Sequence, residues 1–124
     1  MAGTLFWLYL VNAVLLINHE IDSAYWKEWD LFKLPGGITG FLILHLPLVF
    51  LIFLGLLFIL KNVFIGLIFS LIISFSGIFA FIIHIYFIRK GNPEFKTPVS
   101  IIILTSIFIL SIFQIVFTFY LLIP

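Results

Sequence analysis

Apolar residues run almost unbroken through four stretches of this chain, with the charged residues gathered between them. The first stretch, Ala2 to about Ile17, is short of the roughly 20 apolar residues that cross a hydrocarbon core about 30 Å thick. It reaches that length as a helix continued through His19, Asp22 and Trp26, and nothing between Gly3 and Pro35 breaks it. The pattern therefore predicts a first helix over about 3–33, its last part lying along the membrane boundary. Leu34-Pro35-Gly36-Gly37 is turn chemistry. Further helices are expected over 38–60, 63–88 and 99–123. Lys61-Asn62 turns the chain between the first two of these. Arg89-Lys90-Gly91-Asn92-Pro93 opens the last loop, and Pro98 suits the first turn of the final helix. Four spans with short connections predict an all-α polytopic membrane protein, one antiparallel four-transmembrane-helix bundle over 1–124.

Composition supports that solvent. The chain is 65% hydrophobic and 9% charged, against about a quarter charged in a soluble domain, so it lacks the polar surface to cover itself in water. The bilayer is the expected partner, and the apolar faces are compatible with a homo-oligomer. Basic residues are few and confined to loops, which argues against nucleic acid. Lys27, Lys33, Arg89, Lys90 and Lys96 fall in the first and third loops, and Lys61 in the second. The positive-inside rule then puts both termini outside and those two loops in the cytoplasm, as for a plasma-membrane protein. Met1-Ala2-Gly3-Thr4 carries no Lys or Arg, and no small-residue cleavage site precedes Asn18. The first span is expected to be retained.

The candidate chemistry lies in Asn18-His19-Glu20-Ile21-Asp22-Ser23 and in two later histidines. His45 falls about 10 Å, and His84 about 7 Å, below the same membrane face as His19 at 1.5 Å per residue. On the first helix His19, Asp22, Ser23 and Trp26 share one stripe. On the third, Ser70, Ser74, Gly77, Phe81 and His84 form a small and polar face of the kind that packs between membrane helices. Pro47 leaves the Ile43 carbonyl without its helical donor close to His45. Ionisable groups inside a membrane are expensive and usually functional. With no cysteine in the chain, a metal would need His, Asp, Glu or backbone oxygen. Three imidazoles suit a divalent metal, zinc foremost, with His19, His45, His84 and Asp22 as candidate ligands. Asp22, Glu20 and Ser23 are the candidate catalytic groups, a carboxylate acting as proton shuttle. Glu20 points about 100° away from His19, which favours Asp22 for the shared face. Two alternatives stay open: Asp22 as ligand with His45 as base, and iron in place of zinc.

The His19-Glu20-Ile21-Asp22-Ser23 string resembles the His-x-x-Glu-Glu signature of a group of small multi-helix membrane proteins of unknown function. Asp22-Ser23-Ala24-Tyr25-Trp26-Lys27-Glu28-Trp29, with Leu34-Pro35-Gly36-Gly37 and His45, resembles an uncharacterised family of short four-helix prokaryotic proteins. A fainter likeness is to ceramidase-like membrane hydrolases, which use Ser, Asp and three His around zinc. These resemblances imply a metal site. The function expected is a zinc-dependent hydrolase acting on a lipid or other membrane-embedded substrate. The other reading is a non-enzymatic interaction, sensor or ion- or proton-conducting module whose polar residues fix helix packing.

Overall fold

The computed structural model describes residues 2–123. They form α1 (Ala2–Tyr25), α2 (Glu28–Leu31), α3 (Gly37–Leu60), α4 (Ile65–Arg89) and α5 (Pro98–Leu122), with no strand among the described residues. All but α2 are long and apolar enough to cross a membrane. α5 packs along α4 and α1, and α3 closes the ring against the other sides of the same two helices. Each spanning helix thus has two neighbours, with α3 and α5 at opposite corners. The ends are chemically marked. Thr97 accepts the Ser100 amide at 3.2 Å and Pro98 opens α5, which satisfies one orphan donor and presets the first φ. Asn62, left-handed at φ 55°, carries the turn between α3 and α4.

The extension of the first helix departs from expectation. The helix runs past His19 and Asp22 but ends at Tyr25, not near residue 33. Lys27 takes a left-handed conformation (φ 53°) and turns the chain into the one-turn α2. A straight continuation would carry Phe32 away from the bundle. Folding back instead sets Phe32 against Phe87 and His84, with ring centroids 5.7 and 6.1 Å apart. That contact removes apolar area from the aqueous boundary, a gain local helix propensity does not register.

Large aliphatic and aromatic side chains cover the outside of the bundle, while much of the inside is polar. In lipid there is no hydrophobic drive between helices, so close packing and hydrogen bonds must hold them. Gln114 of α5 is the hub. Its amide nitrogen donates to the Ser70 carbonyl (3.1 Å) and hydroxyl (3.0 Å) on α4. Its carbonyl oxygen accepts from Asn12 Nδ2 of α1 at 3.0 Å, and the same Asn12 nitrogen reaches Ser111 at 3.1 Å. Thr118 meets Ser70 at 2.8 Å. Three helices are therefore locked in register by fully buried groups.

Small residues let the backbones approach. At Gly77 an added methyl would lie 2.9 Å from Ile107 Cγ2 and overlap the Ser111 hydroxyl. Gly77→Ala is expected to destabilise the α4–α5 contact by about 1–3 kcal/mol through overpacking, read as a lower unfolding temperature in detergent. Gly3→Ala, where the methyl meets nothing, should not lower it. Removing Asn12 and Gln114 singly and together should give a double-mutant coupling of about 0.6–1.7 kcal/mol, the range for interhelical hydrogen bonds in membranes.

Candidate functional site

The six residues singled out in the sequence gather at one end of the bundle, in two pairs rather than one ring. His19 and His84 form the first pair. Both are buried, with ring centroids 4.6 Å apart and planes almost perpendicular. Glu20 and His45 form the second, with His45 Nε2 2.5 Å from Glu20 Oε2. Adjacent positions 19 and 20 on α1 set both pairs at the same level. The 100° between them turns His19 toward α4 and Glu20 toward α3. The sequence reading discounted Glu20 for that rotation. A helix with neighbours on two sides, however, has two inward faces, and Glu20 occupies the second.

The remaining residues attach to the first pair. Asp22 Oδ1 accepts the Trp26 indole N–H at 3.0 Å. Its Oδ2, the Ser23 hydroxyl, His19 Nδ1 and His84 Nε2 are buried without a hydrogen-bond partner. A buried polar atom left unpaired costs about 1–3 kcal/mol, so four of them together call for an explanation. Glu28, delivered by the fold-back at Lys27, comes within 3.8 Å of His84 Nε2. It also lines the same cavity as Glu20 and His45, so it lies between the two pairs.

The ring orientations follow from the backbone. His45 Nδ1 lies 2.7 Å from the Phe41 carbonyl, and His84 Nδ1 lies 2.7 Å from the Ala80 carbonyl, each one helical turn back. A carbonyl only accepts, so both Nδ1 atoms carry hydrogen and both Nε2 atoms face the site. At His45 the consequence is sharper. With Nδ1 turned to the Phe41 carbonyl, it is Nε2 that makes the direct contact to Glu20 Oε2. Phe41 fixes the ring further by stacking on it, with centroids 3.8 Å apart and planes at 23°. Trp29 in turn packs on Phe41 at 5.6 Å.

Phe95 is the residue of this cluster that sequence reasoning missed. It is buried in the loop between α4 and α5 and held at φ 66°, a conformation unusual for a bulky side chain. Its ring lies 4.2 Å from His84 and 5.5 Å from His19, with Trp26 at 6.5 Å, so it lids the first pair. Nothing in Pro93-Glu94-Phe95-Lys96 signals that role, because the backbone strain and both contacts are long-range.

Two cavities meet at Glu20–His45. One, of about 390 Å³, lies under α2 and the α2–α3 turn and is bounded by Glu28, Trp29, Phe32, Pro35 and Phe41. The other, of about 320 Å³, runs down between α1, α3 and α4 and is almost wholly apolar. Glu20, His45 and Leu48 line both. Each volume falls within the range of about 300–1,000 Å³ of small-molecule sites. α3 opens the space: its buried residues are Gly55 and Ile59, so its first half, with Pro47, stands clear of the bundle.

A family model described as a family of unknown function (DUF6713) matches residues 5–121. The chain belongs to that family. No curated protein matches the chain. No solved structure matches it either.

The predicted single ligand set of His19, His45, His84 and Asp22 differs from the observed arrangement. His45 is engaged by Glu20, away from the other two imidazoles. No group of three or more His, Asp or Glu side chains among the described residues is placed to hold a metal ion. Solid-state ¹⁵N NMR of histidine-labelled protein in bilayers tests the ring assignments. His45 and His84 should both show a protonated Nδ1, and an Nε2–H tautomer at either would contradict the structure.

Proposed function

We propose that the chain is a membrane-embedded acid–base enzyme that hydrolyses a lipid or other bilayer-dissolved amphiphile, with Glu20 and His45 as its proton-transferring pair. The observation that carries this reading is the direct Glu20–His45 contact at the junction of the two cavities. A carboxylate and an imidazole with one proton between them form a neutral unit, which tolerates a low-dielectric setting better than either charged group alone. Such a unit accepts a proton from a water attacking a carbonyl and returns it to the leaving oxygen. The oxyanion formed by the attack is offset by the extra proton held on the pair, and the acyl–oxygen bond breaks as that proton reaches the leaving oxygen, releasing a carboxylic acid and an alcohol. Glu28 and Asp22, beside His84, extend the set of carboxylates that can order that water. The fainter likeness to ceramidase-like hydrolases agrees in reaction class. The donor geometry does not match a three-histidine zinc site, so no step here runs through a metal.

The test is lipid turnover by purified protein in bilayers of its host's lipids, followed by mass spectrometry. Glu20→Gln and His45→Gln should each slow product formation by about 10²–10⁴, the usual contribution of a general acid–base group, with helicity unchanged. Turnover that persists at the native rate in both variants would remove the pair from the chemistry. Elemental analysis of the same preparation addresses zinc directly. Stoichiometric metal lost in His45→Ala as well as His84→Ala would restore the single-site reading.

A second reading has its own support in the Asn12–Gln114–Ser70–Thr118 network, which does nothing but fix packing. On that view the chain is a non-enzymatic module and the histidines are further interhelical links. It predicts that Gln at 45 or 84 preserves function, because an amide replaces the hydrogen bond.

A further inference from the structure

The apolar cavity between α1, α3 and α4 has a shape and setting that point to one kind of occupant. Leu16 and Ile17 of α1, Leu48 and Ile52 of α3, and Phe69 and Ile73 of α4 form its walls. Leu48, Leu51 and Ile72 on its edge are also exposed on the outer surface, so the cavity opens sideways to the bilayer. What reaches it from that side is lipid. Its far end is closed: the Tyr9 hydroxyl donates to the Ile52 carbonyl at 2.7 Å, and Phe69 packs against Gly55. Its near end is Glu20–His45, beyond which begins the second cavity with Glu28 and Trp29. From His45 to Ile52 the helix rises about 10 Å, so the compartment is a finite slot with an apolar floor and a polar mouth.

We propose that this slot binds the acyl chain of a membrane lipid, with its ester carbonyl at Glu20–His45 and its headgroup under α2. This rests on the hydrolytic reading above for what happens at the pair, but the slot itself is read from its lining and its two ends. An amphiphile with its tail in the apolar compartment and its head in the other places its linkage at the residues common to both. Leu48 lies at that crossing. The closed floor at Tyr9–Ile52 makes the slot selective for chain length: a medium chain fits within it, whereas a long one must bend out between α3 and α4.

A photoactivatable, non-hydrolysable ether analogue carrying a diazirine in its tail tests the slot, with labelled residues mapped by mass spectrometry. The full-length protein in bilayers is the sample. Label should concentrate on Leu16, Ile17, Leu48 and Ile73. It should fall to the background of the outward helix faces in Leu48→Trp, which fills the slot. Leu46→Trp, on the outer surface, should label like the native chain. An octanoyl-length tail should compete for the slot better than a palmitoyl-length one. Label spread evenly over the lipid-facing surfaces, or unaffected by Leu48→Trp in folded protein, would overturn the proposal and leave only annular lipid. Glu20→Gln separates the two claims. Slot labelling retained with turnover lost supports both. Native turnover without slot labelling overturns the slot and spares the chemistry, whereas slot labelling without turnover in the native chain does the reverse.

Discussion

Every feature of this protein answers to one constraint: a polar group inside a bilayer must find its partner within the protein. Lipid offers no hydrogen bonds and gives helices no hydrophobic reason to associate. The chain meets this by concentrating its buried polar side chains into two layers. Around Gln114, nearly every donor and acceptor is matched, and α1, α4 and α5 are set in register. Nearer the loops, around His19, Asp22, Ser23 and His84, several are not. The first layer fixes three helices in register, and the second gathers the candidate residues. Satisfaction of hydrogen bonds, more than residue type, separates them.

The division of labour among helices follows. α5 and α4 are the most extensively packed pair, with no room for a methyl group at Gly77. α3 is the loose member. It is anchored through Gly55, Ile59 and the Tyr9–Ile52 bond, while its first half, with Pro47 and His45, stands off. The space under that half becomes the two cavities, and Glu20–His45 is what joins α1 to α3 across them.

Much of the fold was legible in the sequence because bilayer thickness dictates span length. Four apolar runs, punctuated by Pro35-Gly36-Gly37, Lys61-Asn62 and Asn92-Pro93, led directly to four spanning helices. The spacing of Ser70, Ser74, Gly77 and His84 likewise identified the inward face of α4. What failed to show was decided by contacts between distant segments. The reversal at Lys27 depends on Phe32 meeting Phe87 and His84, and the strained Phe95 on two histidines from other helices. Helical periodicity placed Glu20 off the His19 stripe correctly. It could not say that α3 waited on that side with His45. Depth along the membrane can be read from a sequence, but pairing around a bundle depends on neighbour order.

The central claim is that the three histidines divide between two pairs, with His45 committed to Glu20. A rotational-echo distance between a ¹³C-labelled Glu20 carboxyl carbon and ¹⁵N-labelled His45 Nε2, measured in bilayers, tests this most directly. The account predicts the strong dipolar coupling of a direct hydrogen-bonded contact. No coupling to Glu20, with His45 instead joined to His19 and His84 around one metal ion, would contradict it.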